Sequence, residues 1–159
     1  MSASSHPEPD ALPFLDEHGV EVAAPPEVVW ESLCRVAEGS FSSPLAARFA
    51  RLVGCEFTEA SGPRPLAEGS AFPGFVVARA EPGSELALAG RHRYSDYALV
   101  FHLAGSSGAT RLRAETRAQF PGRAGRLYRA VVIGTRGHVL VTMRLLAAAK
   151  RRAERDAPA

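Results

Sequence analysis

From Phe72 to Ala118 apolar and polar side chains alternate with a period of two, and the interruptions are short. Residues 72–80, 85–92, 97–103 and 110–118 read as four β-strands, parted by Pro82-Gly83, Ser95-Asp96 and Gly105 to Gly108. Turns this short join antiparallel neighbours, because a parallel crossover takes about a dozen residues or more. In the last stretch Leu112, Ala114 and Thr116 share one face, while Arg111, Arg113, Glu115 and Arg117 share the other. A sheet built this way has a wet face and a dry face, and the dry face needs a cover.

The cover lies in the same chain. Residues 123–155 carry Leu127, Val131, His138, Val141 and Leu145 at helical spacing. As one helix they would span roughly 45 Å, with Gly134 and Gly137 as a weak point where it can bend. Lys150, Arg151, Arg152 and Arg155 suit the negative end of its dipole. Upstream, residues 18–23 read as a strand with Val20 and Val22 on one face. Pro25-Pro26 then open a helix with the stripe Val29, Trp30, Leu33, Val36 and Ala37, stopped at Gly39. Ser43 caps a second helix, with Pro44 at its first position and Leu45, Phe49, Leu52 and Val53 as its apolar stripe, before Gly54. The order predicts an α+β, helix-grip fold. A curved antiparallel sheet wraps a long C-terminal helix, and two short helices follow the first strand. The 159 residues suit one domain. We expect it to span 17–155, behind a flexible N-terminal lead-in at 1–16 rich in Ser, Pro and Asp, with a frayed tail at 156–159.

Charge and cysteine content narrow the setting. Residues 1–38 hold eight acids and one base, and the remainder is basic. The bases are scattered rather than clustered with aromatic residues, which argues against nucleic acid as a partner. Cys34 and Cys55 stand in no metal or redox spacing, so both read as free thiols in a reducing, cytoplasmic setting. The N-terminus has no basic and apolar signal pattern. Arg136, His138 and Arg144 interrupt the most apolar stretch, so no membrane span is expected. Gly105-Ser106-Ser107-Gly108 lacks the lysine and helix of a phosphate loop, no metal-ligand spacing occurs, and no cofactor is expected.

Strand parity then nominates a site. Leu86, Leu88, Gly90, His92 and Tyr94 share the dry face, so His92 and Tyr94 are expected at the mouth of a space between sheet and helix. Phe75, Val77 and Leu88, with Leu99 and Phe101 opposite, are expected to line that space. Tyr128, Val131 and His138 are expected to close it from the helix. An apolar cavity with a few inward polar groups is the usual make-up of a small-molecule site. His92 and His138 are the candidate catalytic bases, and Asp96 would orient His92 if the turn joined them. The bland alternative is a half-exposed His92 and a hydrogen-bonded core His138. Gly90 marks a bulge, a bend or a tolerated glycine. Trp30 reads as core packing, and the arginine face of the last strand as solvated surface.

The stretch from Val20 to Trp30 (Val-Glu-Val-Ala-Ala-Pro-Pro-Glu-Val-Val-Trp), together with the closing helix, resembles the opening and end of the SRPBCC superfamily, the START-like helix-grip proteins. The segments Gly90 to Phe101 and Phe120-Pro121-Gly122 to Tyr128 resemble uncharacterised members of it, with Arg129 where those carry an aromatic residue. The resemblance implies a cavity for a lipid or polyketide-like molecule. It leaves open a binder, a cyclase or dehydratase using a cavity histidine, and an interaction module. The last would be a possible homodimer formed through the arginine face or through Val132, Val139, Met143 and Leu146.

Overall fold

A computed structural model describes residues 6–158. Strand β1 (Phe14–Val22) leads into α1 (Pro26–Phe41) and α2 (Pro44–Val53). Then come β2 (Ala71–Phe72), β3 (Phe75–Glu81), β4 (Glu85–His92), β5 (Ser95–Gly105) and β6 (Thr110–Gln119). Helices α3 (Gly122–Gly134) and α4 (Gly137–Asp156) end the chain. The six strands form one antiparallel sheet in the order β1-β6-β5-β4-β3-β2. This is the α+β helix-grip arrangement that the residue pattern predicts.

Several boundaries differ, each for a local reason. β1 begins at Phe14, four residues before the expected start, because a bulge between Phe14 and Asp16 breaks the period-two pattern. The described part of the lead-in is packed: Pro9–Ala11 makes one helical turn, and Leu12 is buried with Ala87, Ala98 and Val100 on the outer face of the sheet. Residues 1–5 lie outside the described residues. α1 runs through Gly39 to Phe41. α2 starts and stops as its capping residues require. Ser43 Oγ accepts from the Ala46 N–H at 3.1 Å, and Gly54 turns left-handed at φ 74°.

The expected single C-terminal helix is two. Arg136 adopts φ 57°, Thr135 closes α3, and the helices meet at a 51° bend. A side chain in the left-handed region is uncommon, and nothing in the arginine itself announces it. The sheet therefore grips α4 alone, roughly 30 Å long, while α3 crosses the open end of the grip. Among the described residues no single helix is long and apolar enough to cross a membrane.

The space between sheet and α4 is filled at one end only. There Leu145, Leu146, Ala149 and Ala153 of α4 meet Val29 and Leu33 of α1 and Leu86, Leu88, Phe101 and Leu112 of the sheet. Lys150 Nζ donates to the Glu21 carbonyl and the Ala23 N–H donates to Glu154, pinning this end of α4 to β1. On the wet face Arg111 and Arg113 of β6 pair with Glu21 and Glu17 of β1. The arginine face is thus an ion-paired ladder across β1 and β6, the two strands at one edge of the sheet.

Candidate functional site

The other end of the grip is hollow. Gly137, His138 and Thr142 replace the leucines of the filled end on α4. The result is an apolar cavity of about 540 Å³ between the sheet, α2, α3 and the start of α4. That volume accommodates a small organic molecule. The wall includes Phe75, His92, Leu99, Tyr128, Val131 and His138, six of the residues nominated from the sequence. Val77, Leu88 and Phe101 instead belong to the filled end and are fully buried in the core. They have the right parity but lie too far along their strands. Tyr94 stands behind the wall, its ring stacked on Tyr128 with centroids 5.5 Å apart.

Aromatic rings form one side of the cavity. Tyr97, absent from the sequence-based set, is its keystone. Its hydroxyl donates to the Gly74 carbonyl at 2.5 Å and touches the Cys55 thiol at 3.6 Å. Its ring meets Phe75 edge-on at 5.3 Å and His92 at 5.3 Å. Burial drives the Tyr97 pKa strongly upward, so the phenol stays protonated and serves as a fixed donor. Burial also raises the Cys55 thiol, with the Tyr97 contact opposing. Away from the cavity, Cys34 is pushed up to about 12 by burial and by the nearby Glu38 and Glu31. Neither cysteine has thiolate character, and both are free.

His92 sits edge-on to Tyr128 at 4.8 Å, and its Nδ1 accepts the Tyr94 N–H at 3.0 Å. These partners assign the tautomer. Nδ1 holds the lone pair, so neutral His92 carries its proton on Nε2. It can donate to a carbonyl or hydroxyl of a ligand, but its one basic nitrogen is already occupied. Burial lowers its pKa from the ordinary 6.5, with the Asp96 charge pulling the other way. Asp96 does not hydrogen-bond to it. By parity Asp96 lies on the outer face, where Arg91 donates to it at 2.6 Å and Gln119 at 2.8 Å. Although burial opposes ionisation, those donors hold its carboxyl below the usual range.

The shift at His92 has a consequence for pH. Unfolded His92 titrates near 6.5, and folded His92 below it. As pH falls through 6.5 the unfolded chain takes up a proton that the folded chain refuses. Its contribution to stability is therefore complete above 6.5 and is lost toward the folded value. Thermal unfolding should show the native chain losing more stability than His92→Gln as pH drops from about 7.5 to about 5. Parallel curves for the two chains would contradict this assignment.

The second polar feature was not legible in the sequence. His138 Nε2 donates to Asp16 Oδ2 at 2.6 Å, joining α4 to β1 across 122 positions. Asp16 faces Thr116 across the β1–β6 ladder, and His18 Nε2 lies 3.7 Å from the same carboxylate oxygen. Asp16 Oδ1, His138 Nδ1, His18 Nε2 and Thr116 Oγ1 are all buried without a hydrogen-bond partner. Because Nε2 of His138 is the donor, a neutral ring keeps its lone pair on Nδ1. A polar cluster therefore stands beside an apolar cavity whose wall includes His138 and Thr116. Among the described residues no cluster of three or more His, Cys, Asp or Glu could hold a metal ion.

Two of the helical residues offered for a homodimer face inward. Leu146 is fully buried in the core and Val132 lines the cavity.

No family model and no curated protein matches the sequence. The fold recurs among solved structures. Protein CV1439 from Chromobacterium violaceum is 16% identical over 87% of this chain and 96% of that one, with a TM-score of 0.50. The Zhui aromatase/cyclase from Streptomyces sp. R1128 is 20% identical over 88% and 93%, also with a TM-score of 0.50. The di-domain aromatase/cyclase StfQ of the steffimycin biosynthetic pathway is 12% identical over 88% of this chain and 50% of that one, with a TM-score of 0.54. At these identities the fold is what is shared, and it is the helix-grip fold expected from the SRPBCC-like resemblance.

Proposed function

We propose that this helix-grip chain binds a hydrophobic small molecule, lipid or polyketide-like, in the hollow end of the grip. The supporting observation is the cavity itself: about 540 Å³ with a nearly all-apolar wall, beside a core packed solid in the same sheet–helix space. A hollow in a domain that otherwise packs its apolar side chains forfeits contact energy, and a ligand restores it. His92 supplies orientation by donating Nε2–H to a carbonyl or hydroxyl of the guest.

The test is to block the space. Ala118 faces inward on β6 and lines the cavity. Ala118→Phe is expected to weaken binding of a naphthalene-type fluorescent fatty-acid analogue by at least about tenfold, equal to about 1.4 kcal/mol, with thermal unfolding still cooperative. Undiminished binding by a folded Ala118→Phe chain would place the ligand elsewhere.

A second reading rests on the 2.6 Å contact between His138 and Asp16. The carboxylate orients the ring and leaves Nδ1 as the basic nitrogen, the arrangement a general base requires. On that reading the chain is a cyclase or dehydratase, the class of its aromatase/cyclase neighbours in fold, and His138 removes a proton beside a substrate carbonyl. Loss of turnover of a polyketide-type substrate in His138→Ala, with probe binding kept, distinguishes the enzyme from the simple binder.

A further inference from the structure

Helix α2 is amphipathic, and it is mounted with its apolar stripe outward. Leu45, Phe49 and Leu52 recur at positions i, i+4 and i+7, yet they are 77%, 51% and 76% exposed, while Ala50 and Val53 turn inward. The apolar stripe of a surface helix ordinarily faces the core. Across the cavity α3 does the same with Leu127 and Val131. Every exposed large hydrophobic side chain among the described residues except Phe14 lies on α2, α3 or the first half of α4. Phe49, Val131 and Val141 belong to both sets: they line the cavity and stand half out of it. They mark its mouth, and the apolar side chains form its rim.

Charge on the same helices is one-sided. No acid occurs between Glu38 and Glu56, or between Glu115 and Glu154. Arg48 and Arg51 of α2 and Arg123, Arg126 and Arg129 of α3 are exposed, and none has an acidic partner among the described residues. On the sheet, by contrast, Arg79, Arg91, Arg111, Arg113 and Arg117 each pair with a carboxylate. These five sheet arginines are neutralised, and the five on α2 and α3 around the mouth are not.

We propose that the rim formed by α2 and α3 docks on an anionic lipid surface, with the cavity mouth against the bilayer. Exposed aliphatic side chains beside unpaired arginines on short amphipathic helices are what an interface between headgroups and acyl chains accommodates. The leucines sit on two separate helices flanking an opening. That suits a fluid partner, which needs no matching shape, better than a protein partner, which would need one. The arginines meet the phosphates, and the leucines enter the acyl boundary. An apolar guest then passes between bilayer and cavity without crossing water. The docking surface goes beyond the cavity reading and is measured separately from it.

Co-sedimentation with sucrose-loaded vesicles tests the proposal. The native chain is expected to pellet with vesicles of phosphatidylcholine and phosphatidylglycerol, to pellet much less with phosphatidylcholine alone, and to be released by added salt. Leu45→Glu/Leu52→Glu is expected to weaken vesicle association by at least about tenfold. Neither leucine lines the cavity, and both already face solvent, so the variant should keep its fold and its binding of the fluorescent fatty-acid analogue in vesicle-free solution. Arg123→Gln/Arg126→Gln/Arg129→Gln should remove the preference for anionic vesicles. The proposal is overturned if the native chain stays in the supernatant with anionic vesicles, or if the leucine variant pellets like the native chain. Capture by a soluble acidic protein with no vesicle association overturns it equally. A chain that binds the analogue but not vesicles refutes only the docking surface, and one that binds vesicles but not the analogue refutes only the cavity reading.

Discussion

Gly90→Ala is expected to destabilise the protein by about 3 kcal/mol or more, a larger loss than a small-to-large change in a core commonly causes. A Cβ at Gly90 would lie 2.2 Å from the Gly74 carbonyl oxygen and 2.5 Å from Cε2 and Cζ of Tyr97. Neither neighbour can step aside alone. The Tyr97 hydroxyl donates to that same carbonyl, and the Gly74 N–H donates to the Phe57 carbonyl at 2.8 Å. Relief requires moving the β2–β3 turn, the ring or the strand. The β4–β5 register runs without interruption through Gly90 and Tyr97, so this glycine does not mark a bulge. It makes room for a ring and a backbone that form the aromatic side of the cavity. Chemical denaturation of the variant checks the magnitude. A loss under about 1 kcal/mol would mean that the turn yields easily.

Asp16→Ala is expected to cost about 2–3 kcal/mol, because it leaves the His138 Nε2–H buried with no acceptor. Thr116→Val should do the opposite. The Thr116 hydroxyl is buried and unpartnered, so an isosteric methyl group removes a desolvated polar atom and should leave stability unchanged or raise it by about 1 kcal/mol. The contrast matters more than either value. A cluster of one hydrogen bond and four buried polar atoms that have none is not how a chain stabilises a core. On the proposed reading, such groups beside a cavity wall give up stability for recognition or chemistry. Equilibrium unfolding of both variants is the measurement. Equal and negligible effects would reduce the cluster to incidental packing.

These two sites differ in how much of them the sequence discloses. Gly90 is conspicuous as a glycine inside a strand, yet its purpose depends on Tyr97 and Gly74 approaching from the neighbouring strand and turn. His92 was found by parity, since alternation along β4 is a local rule. Asp16 was missed. A polar residue inside a stretch rich in acids reads as a solvated lead-in, and the bulge beside it hides the strand. Parity assigns Val77, Leu88 and Phe101 to the wall, which is the right face but the wrong end. Parity reports which side of a sheet a residue occupies, not how far along the strand the opposing helix fills the space.

The residue pattern by itself determined the antiparallel sheet, its wet and dry faces, the helix caps at Ser43 and Gly54, and the helix that covers the dry face. Each follows from a period of two or 3.6, or from one residue's backbone preference, and such forces act within a few positions of the chain. Tertiary structure alone decided that the covering helix breaks at Arg136, that the α2 stripe faces outward, that Asp16 meets His138 and that one end of the grip stays hollow. Those outcomes depend on bulk and hydrogen-bond partners brought together from distant segments, where packing overrides local propensity.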